Sequence, residues 1–396
     1  MKTSGEGRPA GQAGTSEPEA TRIIGRAREL HGLIDQHGEA NDREGRIAEP
    51  VIEALFTSGA LSMFTPRRLG GAEMTPRQSM DLVKTLSYAD PSTGWVAMAI
   101  GMVTGLAGAF FEAEAARDLF RTPRLGIAGQ GSRPGEAEAV GDGYLVSGSW
   151  SFASGIKHST HLHTAARDSK TGEIRFFIVP VEQVTFIENW NVLGLRGTGS
   201  IDYALDKMFV PRSYSYPTLS RTPVTGGDLY RIGIGNFVSI VHSAWALGVG
   251  RRLLDELQLL TQAKSGRPGS MAASPSFHEQ YAAAEVELRA AAALIYEVWE
   301  DIELTLARGD DISVRQESLN RIALHNATWS THRISQFAYR SGGTDALRDS
   351  TIQRLFRDVH AGTQHVSSSP AIMQAAGREL AGLAPGERWV HFNLTK

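Results

Sequence analysis

Histidines are the residues of this chain with the clearest chemical potential. His158, His161 and His163 stand close together, and in a strand His161 and His163 would share one face. That spacing permits a metal ion geometrically. A third ligand and a carboxylate to orient the imidazoles are not evident in the sequence. We therefore predict no metal site.

Two further histidines, His360 and His365, stand five positions apart. That spacing separates them by about 140° around a helix, so they do not form a metal pair. A single helical histidine is more often a surface or core residue than a catalytic one. The chemistry of His365 is nevertheless suited to proton transfer, because an imidazole changes charge near neutral pH and can accept a proton or hold an anionic oxygen.

A glycine-rich segment, Leu193–Ser200, carries Gly194, Gly197 and Gly199 around Arg196. Glycine lets backbone N–H groups approach a phosphate or a flat cofactor ring closely, with the arginine as a countercharge. An ordinary turn would use the same residues, and the glycines alone do not decide between the two.

Several chemistries are excluded by what the sequence lacks. It contains no G-x-G-x-x-G, P-loop or G-x-S-x-G motif, so a Rossmann-type nicotinamide site is unsupported. The absence of cysteine excludes thiolate metal sites, iron–sulfur clusters and disulfides, and is compatible with a reducing cytoplasm. A net charge of -3 disfavours nucleic-acid binding.

The elements that would position these residues begin with helices over residues 22–125. Asp90 stands before the weakly polar run Gly94–Phe111, which predicts a capped, buried and closely packed helix rather than a membrane span. Residues 1–21 are rich in Gly, Ser, Glu and Pro without an apolar stretch, so we predict a disordered tail and no signal peptide.

Residues 126–216 have the texture of a β-domain. Gly141–Gly143 is a hairpin signal, and short apolar runs separated by turns follow without an intervening helix. The pattern predicts an antiparallel sheet or barrel. Alternation places Trp150 and Phe152 on one face of a strand that would extend to Ser154.

Residues 217–396 return to long helices, for which we predict a four-helix bundle. A heptad-like seam predicts one helix of about 30 residues that packs against others. The seam residues are Tyr281, Ala284, Leu288, Ala291, Ile295, Val298 and Ile302. The fold class is therefore α+β, with a helical domain, a central β-domain and a helical bundle.

This order resembles the acyl-CoA dehydrogenase superfamily over nearly the whole chain after the tail, and three motifs carry the resemblance. Gly143–Gly155 ends in W-S-F-A-S-G, which is similar to the flavin-facing strand of the superfamily. Leu193–Ser200, followed by Phe209-Val210-Pro211, resembles its G-x-R-G-T-x-S … V-P segment. Arg354–His365 resembles the R-x-x-R-D-x-x-A-x-x-x-H helix of the flavin monooxygenase branch.

The branch is indicated by a missing carboxylate. Dehydrogenases need an acid that removes a proton from the substrate, and in most of them a glutamate shortly follows the arginine–aspartate pair. Here no acid occurs between Asp358 and Glu379, and His365 stands near the expected place. Some dehydrogenases supply the base from an earlier helix, so an acyl-CoA dehydrogenase-type FAD oxidoreductase remains the alternative. The resemblance favours two-component monooxygenases such as the 4-hydroxyphenylacetate and 3-hydroxy-seco-steroid hydroxylases.

The resemblance implies flavin contacts for Trp150, Phe152 and Ser154. Ser154 would support the N5–C4a edge, and Ala153 N–H is the alternative because the register of this strand is uncertain. Further flavin contacts are implied for Arg196, Gly197 and Thr198, and for the loop Arg340–Gly343, where neighbouring subunits would meet the flavin's phosphate or adenylate end. A helix C-cap is the equal alternative for Gly343.

The implied reaction uses reduced FMN or FAD, delivered by a separate reductase, and O₂. Oxygen adds at the flavin C4a position, and the resulting hydroperoxide hydroxylates an aromatic or phenolic substrate. His365 would activate the substrate with His158 assisting, and Trp95, Phe237 and His242 are placed near the pocket by position alone. The resemblance also implies a homotetramer. From the lack of cysteine, the net charge and the lack of a long apolar stretch, we expect a cytoplasmic protein without nucleic-acid or membrane partners.

Overall fold

The structure is a computed structural model that describes residues 18–396. Its N-terminal part is helical, as predicted. The helices are α1 (Glu19–Glu29), α2 (His31–Glu44), α3 (Glu49–Ser58), α4 (Pro76–Ala89), α5 (Pro91–Phe110) and α6 (Ala113–Leu119). Helix α1 begins three residues before the predicted boundary at residue 22, and residues 1–17 of the predicted tail lie outside the described residues.

Helix α5 is the predicted buried helix. The Asp90 carboxylate caps it by accepting hydrogen bonds from Thr93 N at 2.9 Å and Thr93 Oγ1 at 2.7 Å. Helix α5 is long and apolar enough to cross a membrane. However, 83% of its most apolar 18-residue stretch is buried inside the protein. Close packing explains its glycines, since a Cβ at Gly105 would lie 2.4 Å from the Phe64 carbonyl oxygen. The helix is therefore a core element.

The central part forms a seven-stranded sheet in the order β5-β6-β2-β1-β3-β4-β7. The strands are β1 (Ile127–Val140), β2 (Gly143–Trp150), β3 (His161–Asp168), β4 (Ile174–Pro180), β5 (Thr185–Ile187), β6 (Asp202–Pro211) and β7 (Ser215–Pro217). The predicted hairpin joins β1 to β2.

The sheet is mixed, which corrects the antiparallel prediction. Strand β3 pairs with β1 in parallel, from Ile127 opposite His161 to Ala137 opposite Asp168. Strand β2 occupies one edge of β1, and the segment 151–160 carries the chain to the other edge. Because this crossover reverses the chain a second time, β3 runs in the direction of β1. Turn signals in the sequence do not reveal such a crossover.

The C-terminal part is a helical bundle followed by a small hairpin. The elements are α7 (Ile234–Ala263), α8 (Pro275–Ala307), α9 (Val314–Gly342), α10 (Thr344–Leu347), α11 (Thr351–Gly362), α12 (Pro370–Leu380), β8 (Arg388–Val390) and β9 (Asn393–Thr395). Helix α8 is the predicted seam helix, and its buried residues include Ala284, Leu288, Ala291 and Ile295.

Helix α7 joins the two helical parts. It packs on α4, α5, α9 and α11, and its central residues are almost entirely buried. Gly362, the last residue of α11, lies against Trp245 of α7, where a Cβ would approach the indole to 2.4 Å. This contact fixes the end of α11, and with it the segment that follows, against α7 and α5.

Candidate active site

His365 lies in the turn after α11 rather than on the helix. Helix α11 ends at Gly362, and His365 precedes the 3₁₀ turn Val366–Ser368. The prediction that His360 and His365 share one helix is therefore wrong. His360 remains on α11, where its Nε2 lies 3.1 Å from His332 Nε2. His365 instead turns toward α5 and α7.

An aromatic cluster surrounds His365. Its ring stacks on that of His242 from α7, with centroids 4.0 Å apart and planes 25° apart. Trp95 of α5 meets His242 edge-on at 4.7 Å and His365 at 6.1 Å, and it also contacts Trp245 at 5.0 Å. Trp95, His242 and His365, which we call the imidazole–indole cluster, are drawn from three distant parts of the chain.

Both imidazoles of this cluster are held neutral. Burial lowers the pKa of His365 to about 4. Burial also lowers the pKa of His242 well below its ordinary value, and the neighbouring His365 adds to that effect. At pH 7 the pair therefore consists of two uncharged rings, which stack without electrostatic repulsion.

The hydrogen bonds of His365 decide its tautomer. Its Nδ1 accepts a hydrogen bond from Ser367 N at 3.3 Å and lies 2.7 Å from Ser367 Oγ. A backbone N–H can only donate, so we assign the lone pair of the neutral ring to Nδ1 and the hydrogen to Nε2. Nε2 is thus available as a hydrogen-bond donor.

Ser154 joins this cluster to the sheet. Its Oγ accepts a hydrogen bond from Trp95 Nε1 at 3.2 Å and lies 2.7 Å from Ser200 Oγ. Ala153 N donates to Ile201 O at 3.2 Å, and Ser154 N donates to Phe152 O at 2.9 Å. The Ala153 N–H, which was the alternative ligand contact, is therefore used within the chain, and the hydroxyl of Ser154 is the polar group that remains.

Trp150 and Phe152 do not share a face, contrary to prediction. Strand β2 ends at Trp150, whose ring is 1% exposed, stacks on Tyr203 at 5.4 Å and donates from Nε1 to Ala165 O at 3.0 Å. Phe152 has φ +70° and is 63% exposed. The left-handed backbone at Phe152 breaks the strand alternation. Trp150 belongs to the core of the sheet, and Phe152 lies on the surface beside Ser154.

The glycines of Leu193–Ser200 pack closely against other segments of this chain. A Cβ at Gly194 would lie 2.1 Å from Arg357 O, and one at Gly197 would lie 2.9 Å from Ser92 Cβ. Gly199 has φ +54°, and its Cβ would lie 2.8 Å from Gly45 O. The space that the sequence suggested for a phosphate or a ring is thus filled by helices α2, α5 and α11 and the residues beside them. Arg196 is exposed.

His158 makes its hydrogen bond outside the imidazole–indole cluster. Its Nε2 accepts a hydrogen bond from Ile47 N at 3.2 Å, which ties the turn after β2 to the start of α3. Burial lowers its pKa to about 4. These contacts indicate that His158 holds the segment after Ser154 against the N-terminal helical part.

The other predicted histidines lie in the sheet. His163 is buried, stacks on Phe176 at 4.0 Å and places Nε2 2.8 Å from Tyr216 Oη, while His161 Nδ1 lies 3.0 Å from Thr160 Oγ1. Over residues 18–396, no group of three or more His, Asp or Glu side chains is arranged to hold a metal ion.

The predicted loop Arg340–Gly343 lies at the end of α9. Gly343 follows the helix with φ +57°, in keeping with a helix C-cap. Arg340 is exposed and donates to Gln280 Oε1 at 2.8 Å. Within one chain this loop does not contact the imidazole–indole cluster, so a flavin contact there remains a prediction for an assembly of subunits.

Ser200 is the site residue that the sequence reasoning missed. It belongs to the quoted glycine-rich motif, but its hydroxyl received no role. Trp95 and His242, which the sequence placed near the pocket by position alone, are both in the cluster, whereas Phe237 is a fully buried core residue that packs edge-on against Phe64.

Comparison with known proteins finds one matching family profile and several similar structures. The family profile of the acyl-CoA dehydrogenase C-terminal domain matches residues 240–370. The 3-HSA hydroxylase from Rhodococcus sp. RHA1 superposes with a TM-score of 0.87 over 93% of this chain and 98% of its own, at 24% identity. Residues 240–370 therefore match the acyl-CoA dehydrogenase C-terminal domain, and most of the chain shares the fold of that hydroxylase.

Other similar proteins include two that are named as a monooxygenase and a hydroxylase, and one that was solved with a reduced flavin. Indole-3-acetate monooxygenase from Acinetobacter baumannii is 26% identical over 87% of this chain and 90% of its own length. The oxygenase component of an FADH(2)-dependent resorcinol hydroxylase from Rhizobium sp. is 27% identical over 92% of this chain and 95% of its own length. XiaF from Streptomyces sp., solved with FADH2 and glycerol, superposes with a TM-score of 0.86 over 93% of this chain and 96% of its own, at 20% identity.

Proposed function

We propose that this chain is the oxygenase component of a two-component flavin-dependent monooxygenase that hydroxylates an aromatic substrate. A separate reductase would supply reduced FMN or FAD, and O₂ would supply the oxygen atom. The proposal is supported by the similarity of the chain, over most of its length, to proteins named as monooxygenases and hydroxylases of aromatic compounds.

The observation that carries the proposal is the composition of the imidazole–indole cluster. Within the described part of the chain, the hydrogen bonds and ring contacts of Trp95, His242 and His365 involve indole, imidazole, phenyl, hydroxyl and backbone N–H groups, and no carboxylate. Dehydrogenation of an acyl thioester needs a base at this place, and two neutral imidazoles of low pKa are poor substitutes for a carboxylate.

The residues beside the cluster fit a flavin. The Ser154 hydroxyl is half-buried and keeps a free acceptor position next to the flat indole of Trp95. Arg196, in the segment Leu193–Ser200, is exposed, and its positive charge would pair with a phosphate of the flavin. The reduced cofactor supplies electrons to O₂, so that one oxygen atom enters the substrate and the other leaves as water.

The substrate would bind against His365 and His242. His365 Nε2–H is a neutral donor in a largely apolar surrounding, and it would hold a phenolic or other electron-rich oxygen of the ring in place. The stacked imidazole of His242 and the indole of Trp95 present flat surfaces to an aromatic ring. His365 thus orients the substrate as a donor rather than removing its proton, because its pKa of about 4 makes it a weak base.

The proposal extends to assembly and location. We infer a cytoplasmic homotetramer in which the loop Arg340–Gly343 meets the flavin of a neighbouring subunit. A surface cleft of about 250 Å³, lined in part by Lys157, Trp190 and Asn191, lies beside the Ser154 loop on the exposed side of the molecule. Size measurement in solution and the loss of flavin affinity in Arg340→Ala would test this inference.

The decisive experiment separates oxygenation from dehydrogenation. The protein is mixed without oxygen with dithionite-reduced FMN or FAD and a panel of phenols and indoles, and is then exposed to ¹⁸O₂. An ¹⁸O label in a hydroxylated ring is the expected result. Bleaching of bound oxidised FAD by an acyl-CoA without oxygen would overturn the proposal, and so would recovery of the whole panel unlabelled from protein that binds reduced flavin.

A further inference from the structure

Three hydroxyl groups connect Trp95 to the glycine-rich loop in one continuous chain. Trp95 Nε1 lies 3.2 Å from Ser154 Oγ, Ser154 Oγ lies 2.7 Å from Ser200 Oγ, Ser200 Oγ lies 2.7 Å from Thr198 Oγ1, and Thr198 Oγ1 lies 2.7 Å from Leu195 O. Ser200 and Thr198 are each 2% exposed, so water does not compete for them. Ser154 is the half-buried member. We call this series the hydroxyl chain.

The direction of every hydrogen in this chain is fixed. The Leu195 carbonyl can only accept, so Thr198 donates to it. A hydroxyl has one hydrogen, so Thr198 must accept from Ser200, and Ser200 in turn must accept from Ser154. The other end is compatible with this direction, because the indole N–H of Trp95 donates to Ser154 and leaves the Ser154 hydrogen to point at Ser200.

Ser154 can therefore act toward a ligand only as an acceptor. Its single hydrogen points to Ser200, one lone pair receives the Trp95 N–H, and the second lone pair is free. Reduced flavin carries a hydrogen on N5, whereas oxidised flavin presents a lone pair there. The N5–H of reduced flavin would donate to the free lone pair of Ser154. The lone pair on N5 of oxidised flavin would instead be repelled by that lone pair of Ser154.

We propose that Ser200 and Thr198 are positioning residues that hold Ser154 as an acceptor and thereby make the site select reduced over oxidised flavin. This inference rests on the proposed function, because it places a flavin at Ser154. It goes further by assigning the redox selectivity to two buried hydroxyls, of which the nearer, Ser200, had no role in the sequence analysis.

The test compares dissociation constants of reduced and oxidised FMN and FAD, measured by anaerobic titration of the full-length protein. Ser200→Ala leaves the Ser154 hydrogen free to turn toward an oxidised N5. The preference for the reduced form should fall about tenfold, chiefly because oxidised flavin binds more tightly. Thr198→Val acts from one hydroxyl further away and should lower the preference in the same direction.

Three further variants distinguish direction of hydrogen bonding from damage to the loop. Thr198→Ser, unlike Thr198→Val, keeps the hydroxyl and should keep the wild-type preference for reduced flavin. Ser154→Ala should weaken the binding of reduced flavin, which loses its acceptor, and should strengthen that of oxidised flavin less than Ser200→Ala does, because it offers N5 no donor. Ser151→Ala is the matched control, since its hydroxyl lies in the same loop but donates to Asp202 Oδ2 at 3.0 Å, outside the chain.

The outcomes are distinct. An unchanged ratio of the two dissociation constants in both Ser200→Ala and Thr198→Val, with reduced flavin still bound, would overturn the inference. A smaller difference between the two dissociation constants that arises because both forms bind more weakly would show a structural role instead. That result would also overturn the inference. Failure of the wild-type protein to bind either form at 1 mM flavin would refute the proposed function itself.

Discussion

Asp358 of α11 accepts a hydrogen bond from Leu195 N at 2.5 Å. This single contact joins the second and third sequence motifs, which are far apart in the chain. Leu195 is the end of the hydroxyl chain that reaches Ser154, and α11 leads into the turn that carries His365. The flavin side and the substrate side of the proposed site therefore share one buried carboxyl group as an anchor.

The first prediction concerns this anchor. Asp358→Ala leaves Leu195 N–H buried without a partner, and the unfolding free energy should fall by about 1–3 kcal/mol. Asp358→Asn keeps an acceptor for Leu195 N–H and should be much milder. Denaturant unfolding of the two variants checks the order, and an equal loss in both would argue against the hydrogen bond as the cause.

The pH dependence of stability should also change in Asp358→Asn. Burial raises the pKa of Asp358 to about 7, and the nearby Asp90 and Asp42 contribute to the shift. Between its ordinary value of 3.8 and about 7, the folded state keeps a proton that the unfolded chain releases, so stability falls as pH rises through this window. The fall should be shallower in the variant, measured by urea unfolding at several pH values. Asp206→Asn, at an exposed residue, is the control and should keep the wild-type dependence of the unfolding free energy on pH.

Removal of the imidazole at position 365 should separate flavin use from hydroxylation. His365→Ala should bind reduced flavin nearly as tightly as wild type, while product formation falls by about 10²-fold, the scale of a lost orienting or acid–base group. Hydrogen peroxide should appear in place of product, because reduced flavin that reacts with O₂ without an oriented substrate would reduce the O₂ to hydrogen peroxide. His278→Ala, at an exposed histidine of α8, is the control. Equal product yields from the His365 variant and wild type would remove His365 from the site.

Hydroxylation should show no ionisation of His365 between pH 5.5 and 8. The pKa of His365 is lowered to about 4, so the ring is neutral throughout this range and becomes charged only below it. Nitrogen-15 NMR of histidine-labelled protein should show the hydrogen on Nε2 and the lone pair on Nδ1, with titration near pH 4. A midpoint near 6.5 would contradict the neutral donor role.

Loss of the Ser154 hydroxyl should uncouple the reaction. Ser154→Ala removes the accessible acceptor beside Trp95, and one lost hydrogen bond in a sheltered site corresponds to about 1–3 kcal/mol, or about tenfold or more in partitioning. The fraction of reduced flavin that ends as hydrogen peroxide should rise accordingly, as measured by a peroxidase-coupled assay. Unchanged coupling would move this role away from Ser154.

The isolated chain should not oxidise nicotinamides. Since the sequence carries no Rossmann fingerprint, NADH and NADPH absorbance should stay constant in the presence of the protein, O₂ and flavin until a flavin reductase is added. Rapid NADH consumption by the pure chain would contradict the two-component reading.

Local patterns predicted much of the fold. The Asp90 cap and the apolar run after it predicted α5, the seam from Tyr281 predicted α8, and Gly141–Gly143 predicted the β1–β2 hairpin. Each rests on residues within a few turns of helix or one tight turn, where propensity and periodicity act directly. The parallel pairing of β1 with β3 did not follow, since it depends on how the segment 151–160 crosses the edge of the sheet.

The sequence by itself determined the order of helical and β parts, the superfamily resemblance, and the choice of Ser154 and His365 as candidate site residues. Only the tertiary structure decided which groups surround them. The left-handed backbone at Phe152 turned Ser154 out of the strand, and the glycines proved to fit this chain's own helices. The stacking of His242 on His365 and the direction of the hydroxyl chain join segments that are distant in sequence. A hydrogen bond's direction and an imidazole's pKa depend on the partners that folding brings together, and no spacing within the chain encodes them.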